Sequence, residues 1–158
     1  MRGLTDRLLD FARAENRDLA SEFETFRTEY LTGSRARAFE RCAALQARLS
    51  EHVRWEEAEV FPAFASRCHT GDELALHELA RDHGLLLRMF AELAALVVAS
   101  GDPTVSAAVR ELFDDIDAVL YDHRLREEAE VCAPLDHVLD APTIERIERA
   151  YTPGDESR

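Results

Sequence analysis

The sequence predicts an all-α protein, an up-down-up-down four-helix bundle with a short C-terminal helix. Three observations carry that expectation. Gly and Pro are scarce, 6 and 5 of 158 residues, while Ala, Leu, Glu and Arg abound, and such a composition favours helix. Breakers cluster at "TGS" (32–34), "CHTGD" (68–72) and "SGDPT" (100–104), leaving four long segments. Each segment carries apolar residues at steps of three and four, the helical period, with no useful run of β-type alternation.

Helix one is expected over about 4–31, with Leu4, Leu8, Phe11, Leu19, Phe26 and Tyr30 in its apolar stripe. Helix two, about 35–66, carries Phe39, Cys42, Leu45 and Leu49. Helix three, about 73–99, carries Leu79, Leu86, Leu87, Phe90, Leu93 and Val97. Helix four, about 104–134, carries Val105, Val109, Leu112, Ile116, Val119 and Leu120, and Pro103 stands where a first turn tolerates proline. Pro142 opens a short fifth helix, about 143–151. Residues 1–151 thus read as one domain, followed by a polar tail over 152–158. Each long helix should measure about 40–45 Å at 1.5 Å per residue. Short links between long amphipathic helices make neighbours antiparallel.

The net charge of −13 argues against nucleic acid and anionic membranes as partners, since both demand basic patches. Cys42, Cys68 and Cys132 have no Cys-x-x-Cys spacing and read as reduced thiols of a cytoplasmic protein. The opening "MRGLTDRLLDF" has scattered charges and no apolar run, and no stretch is apolar for long enough to span a bilayer. A monomer or weak homodimer is expected.

One phrase occurs twice. "HVRWEEAEVFPAF" begins at His52 and "HRLREEAEVCAPL" at His123, each with His-x-x-x-Glu-Glu and a trailing proline. Residues four apart share a helix face. His52 and Glu56 fall in the stripe of Leu45 and Leu49, and His123 and Glu127 in the stripe of Ile116, Val119 and Leu120. Glu57 and Glu128 rotate outward.

A buried, ionised carboxylate without a partner is very costly. Two compensations are open: hydrogen bonds from protonated histidines across the core, or a metal ion that takes carboxylates and neutral imidazoles together. The pair written twice, on two helices, favours metal. Helix three adds His83 in the middle of "RDHGLLLRMF", while His77, His69 and His137 read as rim or surface residues. Helix one has no His. Glu15, between Phe11 and Leu19, stands where a fourth helix would put a ligand, or is an ordinary surface Glu; Asn16 points away from that stripe. The candidate metal ligands are therefore Glu15, His52, Glu56, His83, His123 and Glu127. Imidazole with carboxylate suits iron or manganese, with zinc as a substitute. Glu59 and Glu130 lie a turn beyond, as groups that orient the imidazoles or as solvated side chains. Pro62 and Pro134 end or kink their helices past the site.

The stretches "EHVRWEEAEVFPAF", "RDHGLLLRMFAEL" and "DHRLREEAEVCAPL", in this order and spacing, resemble the hemerythrin-like HHE cation-binding family through helix four. The resemblance implies a hemerythrin-like bundle around a bridged di-iron centre. It carries over His52, Glu56, His83, His123 and Glu127 as ligands, with Glu56 and Glu127 as bridges. There are two departures. The family's helix-one His is replaced within "RAENRDL", where Glu15 or Asn16 stands. The oxygen carriers' His-x-x-x-His on helix three is broken by Leu79. Fewer imidazoles and more carboxylate favour the ferric state over reversible oxygen carriage. The expectation is redox handling of dioxygen, peroxide or nitric oxide, with catalase- or peroxidase-like turnover. The alternatives are a non-catalytic oxygen, nitric oxide or iron binder serving as sensor or store, and a structural bundle whose His–Glu pairs are only hydrogen-bonded. A dry pocket lined by Leu49, Leu86, Phe90 and Leu120 should enclose the centre.

Overall fold

The computed structural model describes residues 7–33, 35–67, 73–99 and 103–151. Leu4, Cys68, His69 and the tail 152–158 lie outside the described residues. Every element among those described is helical. They are α1 (Arg7–Leu31), α2 (Arg35–Trp55), α3 (Phe61–Arg67), α4 (Glu73–Ala99), α5 (Pro103–Arg126), α6 (Ala133–Val138) and α7 (Ala141–Ala150). No described helix is long and apolar enough to cross a membrane.

Two of these breaks are not ends. Between α2 and α3, Glu56–Val60 form a π-helical turn, and between α5 and α6, Glu127–Cys132 form another. The helical rod continues through both, so four rods make the bundle. The prolines explain the local geometry. Pro62 and Pro134 each occupy the second residue of the helix after the π turn. A proline ring inside a helix clashes with the carbonyl four residues back and has no N–H to offer it. A wider upstream turn relieves both faults. The second copy of the phrase places its proline one residue later, and its π turn is one residue longer. The prolines therefore bend the register and leave the rods unbroken: the second rod runs to Arg67 and the fourth to Val138, beyond the expected 66 and 134.

The rods touch in a ring. α1 packs on α2, α2 on α4, α4 on α5, and the fourth rod returns to α1. α1 stops at Gly33, whose φ of +88° is the left-handed conformation a helix C-terminus uses and which a side chain would strain.

Two apolar clusters fill the interior. One is aromatic, with Phe23, Phe26, Phe90 and Phe113 buried among Leu45, Leu49 and Leu93. Phe23 meets Phe90 edge-on at 5.6 Å, and Phe26 meets Phe113 at 5.3 Å. The other holds Leu8, Trp55, Val60, Phe64, Leu79, Leu135, Ile144, Ile147 and Tyr151. α7 closes this second cluster. Asp140 caps it by accepting from the Thr143 N–H at 2.9 Å, so the helix opens at Ala141, slightly earlier than expected. Its Ile147 carbonyl accepts from the Trp55 indole at 2.8 Å.

Two stripes shift from their expected phase. Phe39 is half exposed, and Ala38 takes its place in the core. On α1 the buried residues are Leu8, Leu9, Ala12, Asn16, Leu19, Phe23 and Phe26, so Leu8, Leu19 and Phe26 are in the core as expected. Phe11 serves a different contact, lying 5.5 Å from Trp55 and 6.0 Å from Tyr151. α1 thus presents one apolar line to the bundle and an aromatic ring to Trp55 of α2 and Tyr151 beyond α7, and counting both as one stripe turns the helix by a residue.

Candidate metal centre

A layer of polar side chains lies between the two apolar clusters. His52, Glu56, His83, His123, Glu127, Asn16 and Asp82 are all buried there. Glu56 and Glu127 are wholly so, at 0% exposure. α2 supplies His52, α4 supplies His83 and α5 supplies His123, while the two glutamates are the first residues of the two π turns. Such turns recur at functional sites because they re-aim side chains within an otherwise regular rod.

Glu56 is the hub. Its Oε1 lies 2.7 Å from His52 Nε2, and its Oε2 lies 2.7 Å from His83 Nε2 and 3.7 Å from His123 Nε2. These approaches are close but poorly aligned. Both nitrogens of His52, both oxygens of Glu56, Nε2 of His83 and Nδ1 of His123 are buried without a hydrogen bond among the described residues. Buried polar atoms almost always have partners. Of these, Nε2 of His52, Nε2 of His83 and both oxygens of Glu56 converge, and lone pairs left without partners there are what a cation would satisfy. Two sets of donor atoms meet that requirement, Glu56 with His83 and His123, and His52 with Glu56 and Glu127. Within each set the atoms lie within 4.8 Å of one another, and Glu56 belongs to both. Nitrogen and carboxylate donors on rigid helices fit a first-row transition metal.

The electrostatics agree. Burial pushes Glu56 up, but the surrounding imidazoles outweigh it and hold the carboxyl well below its ordinary range. Burial and the charge of Glu56 push Glu127 up to about 8. Burial depresses His52, yet Glu56 more than offsets this and raises it to about 9. His83 is raised as well, burial again being outweighed by Glu56 and Glu57.

Surrounding groups fix the orientation of the donors. Glu57 Oε1 lies 2.9 Å from His83 Nδ1, while Phe61 stacks on the same ring at 5.4 Å and an interplanar angle of 5°. Asp82 faces His123 Nδ1 at 3.7 Å and is itself gripped by Arg126. The Asn16 amide donates to Glu127 Oε2 at 2.9 Å, and the Cys132 thiol donates to Oε1 at 3.3 Å. Burial, reinforced by Glu127, keeps that thiol protonated by pushing it well up. Carboxylates on the far nitrogen of a ligating His fix its tautomer and ring angle.

The structure brings together five of the six candidate ligands. Glu15 stands apart, its carboxylate 3.1 Å from Arg48 Nη2, and it belongs to neither donor set. Asn16 takes the interior place on α1, opposite to the expected phase. Glu57 faces outward yet still reaches His83, and the repeated Glu-Glu pair was the signal for it. Glu59 pairs with Arg146 at the surface, and Glu130 is exposed. His77 and His137 are exposed, as expected. Sequence reasoning missed Asp82 and Cys132: Asp82 stands beside His83 in "RDHG" with no periodic signal, and Cys132 reads as one more core residue.

A cavity of about 70 Å³ adjoins the centre, lined at its inner end by Asn16, His52, His83 and His123. Leu49, Leu86 and Leu120 form its walls; Phe90 instead packs into the aromatic cluster against Phe23.

Comparison with curated proteins gives no match, and neither does comparison with solved structures. A family model, the hemerythrin HHE cation binding domain, matches residues 6–135, which include every donor of both sets. With most of its length matched, and with paired His and Glu clusters able to hold metal in a helical bundle, this chain belongs to the hemerythrin HHE cation-binding domain family.

Proposed function

We propose that the two donor sets hold a pair of iron ions and that the protein handles dioxygen, peroxide or nitric oxide there as a redox centre. The observation that carries this is Glu56, wholly buried, shared by both sets, with neither oxygen hydrogen-bonded among the described residues. In this reading His83 and His123 serve one ion, His52 and Glu127 the other, and manganese or zinc are the substitutes. Bound iron would supply Lewis acidity and one-electron redox chemistry.

The chain's own residues set the terms of that chemistry. Glu57 holds the His83 ring by Nδ1, so Nε2 faces the interior. Asn16 and Cys132 occupy one lone pair on each oxygen of Glu127 and fix its plane. Leu49, Leu86 and Leu120 give the cavity beside the donors apolar walls. An amide in place of a helix-one imidazole, and Leu79 where a second helix-three imidazole could stand, leave three imidazoles and two carboxylates as donors, fewer imidazoles than a His-rich oxygen carrier offers. That balance favours the oxidised metal and turnover over reversible carriage.

The test is metal content and an ultraviolet–visible spectrum on unsupplemented protein, followed by titration of the iron form with hydrogen peroxide. Two iron per chain with oxygen evolution or peroxidase turnover supports the proposal. A stable oxygenated or nitrosyl spectrum without turnover assigns the site to a non-catalytic binder, and no metal uptake leaves only a structural bundle.

A further inference from the structure

We infer that small ligands reach the centre through a portal between α1 and α5, framed by Ala20 and Tyr121, and that the chamber behind it admits small inorganic ligands while excluding organic hydroperoxides. This rests on the reading of the centre as a metal site for dioxygen, peroxide or nitric oxide.

The cavity is not sealed. Its inner end touches His52, His83 and His123, and its outer end is lined by Ala20, Asp117 and Tyr121, all of them exposed. It therefore spans the distance from solvent to the donor atoms. Two other approaches are covered among the described residues. Phe61 lies flat on His83, and Trp55 and Tyr151 lie 5.8 and 5.9 Å from the His52 ring.

The seam itself is built for an opening. α1 and α5 touch less extensively than α1 and α2, α2 and α4, or α4 and α5; the fourth rod meets α1 mainly through its π turn and α6, below this stretch. Among the described residues, two ion pairs pin the first rod to the fourth, Arg13 to Glu128 at 3.0 Å and Arg27 to Asp114 at 2.8 Å. Ala20 stands midway between the two arginines on α1, and Tyr121 midway along the fourth rod between Asp114 on α5 and Glu128 in the π turn. The pins are about 20 Å apart at 1.5 Å per residue. At the midpoint, farthest from either pin, α1 offers a single methyl group. Tyr121 flanks the gap, with the Arg124 guanidinium 5.3 Å over its ring and 3.9 Å from Glu128. One side of the portal is thus bare and the other is a ring steadied by the lower pin.

Size sets the ligand class. A chamber of about 70 Å³ accepts a few water-sized molecules. Dioxygen, nitric oxide, hydrogen peroxide and azide fit, whereas an aryl-substituted peroxide does not. The apolar walls favour neutral ligands.

The experiment compares wild type with Ala20→Phe, which plugs the portal, and Tyr121→Ala, which widens it; circular dichroism confirms the fold of each. Azide association and dissociation rates are read by stopped flow on the iron-loaded proteins, and xenon exchange by nuclear magnetic resonance on the metal-free proteins. A portal alters both rates together and leaves the equilibrium constant unchanged, so Ala20→Phe should slow association and dissociation alike by about tenfold. Tyr121→Ala should speed both, and should raise the reaction rate with cumene hydroperoxide relative to hydrogen peroxide. Xenon exchange should slow in Ala20→Phe. Unchanged rates in both variants, or a change in the equilibrium constant alone, would overturn the inference. If wild type takes up no metal, the metal reading fails separately, and the xenon arm decides the portal: exchange unaffected by Ala20→Phe refutes it.

Discussion

Asn16 on α1 donates its amide to Glu127 Oε2 at 2.9 Å, tying the first rod to the π turn of the fourth. Glu15, its neighbour, is turned to Arg48 instead. The pair of positions predicts opposite outcomes. Asn16→Ala should weaken metal binding about 10- to 100-fold, the usual cost of losing a group that orients a ligand. Glu15→Ala should leave affinity and stoichiometry unchanged. Competition with a chromophoric chelator measures both, and the reverse pattern would return Glu15 to the ligand set.

Glu56 belongs to both donor sets and Glu127 to one. Glu56→Ala should therefore abolish uptake of both ions, whereas Glu127→Ala should remove one and leave the site of Glu56, His83 and His123 filled. Elemental analysis of the purified variants gives the stoichiometries. Equal losses in the two variants would contradict this division of the donors.

The metal-free protein should lose stability as pH rises. Glu127 is raised to about 8 in the fold from an ordinary 4.5, so the fold prefers its protonated form. That contribution is complete below about 4.5 and gone above about 8. His52, raised from 6.5 to about 9, follows the same sign: its contribution is complete below 6.5 and lost as pH passes about 9. Metal takes both groups without their protons, so it should restore what alkaline pH removes. The gain in Tm on adding metal should thus grow between pH 6 and pH 9. Thermal melts with and without metal across that range test it, and a gain that shrinks with pH would refute the assignment.

Asp136 on α6 accepts the Leu8 N–H at 2.9 Å and the Leu9 N–H at 2.8 Å, two backbone donors at the start of the described part of α1. Replacing it with Ala leaves both buried without this partner. Asp136→Ala should cost about 2–3 kcal/mol in chemical denaturation. A loss below about 0.5 kcal/mol, the range of ordinary surface changes, would show that the contact is not structural.

Burial pushes the Cys42 thiol up to about 11, well above the working range of alkylating reagents. Native protein at pH 8 should leave Cys42 unmodified by iodoacetamide over an hour and modify it fully once unfolded. Peptide mass spectrometry distinguishes the two.

Much of this protein was legible along the chain. The spacing of His52 to Glu56 and of His123 to Glu127 is a local fact, because four residues always make one helical turn, and the helix carries both groups to one face. The same holds for His83 within its apolar run and for the three groups of breakers. Each of these inferences needs one helix at a time.

What the chain could not decide is how helices are turned against each other. Phe11 and Leu19 together pointed to Glu15, but Phe11 answers to Trp55 and Tyr151, and the line that faces the bundle runs through Ala12, Asn16 and Phe23. The π turns are equally non-local in effect, since they let Glu56 and Glu57 both reach one ring on α4. The donor types and their spacing follow from the chain alone, because the spacing depends only on helical periodicity. Packing chose Asn16 over Glu15, recruited Asp82 and Cys132, and left a gap beside Ala20, because rotation about a helix axis is set by the side chains of its neighbours.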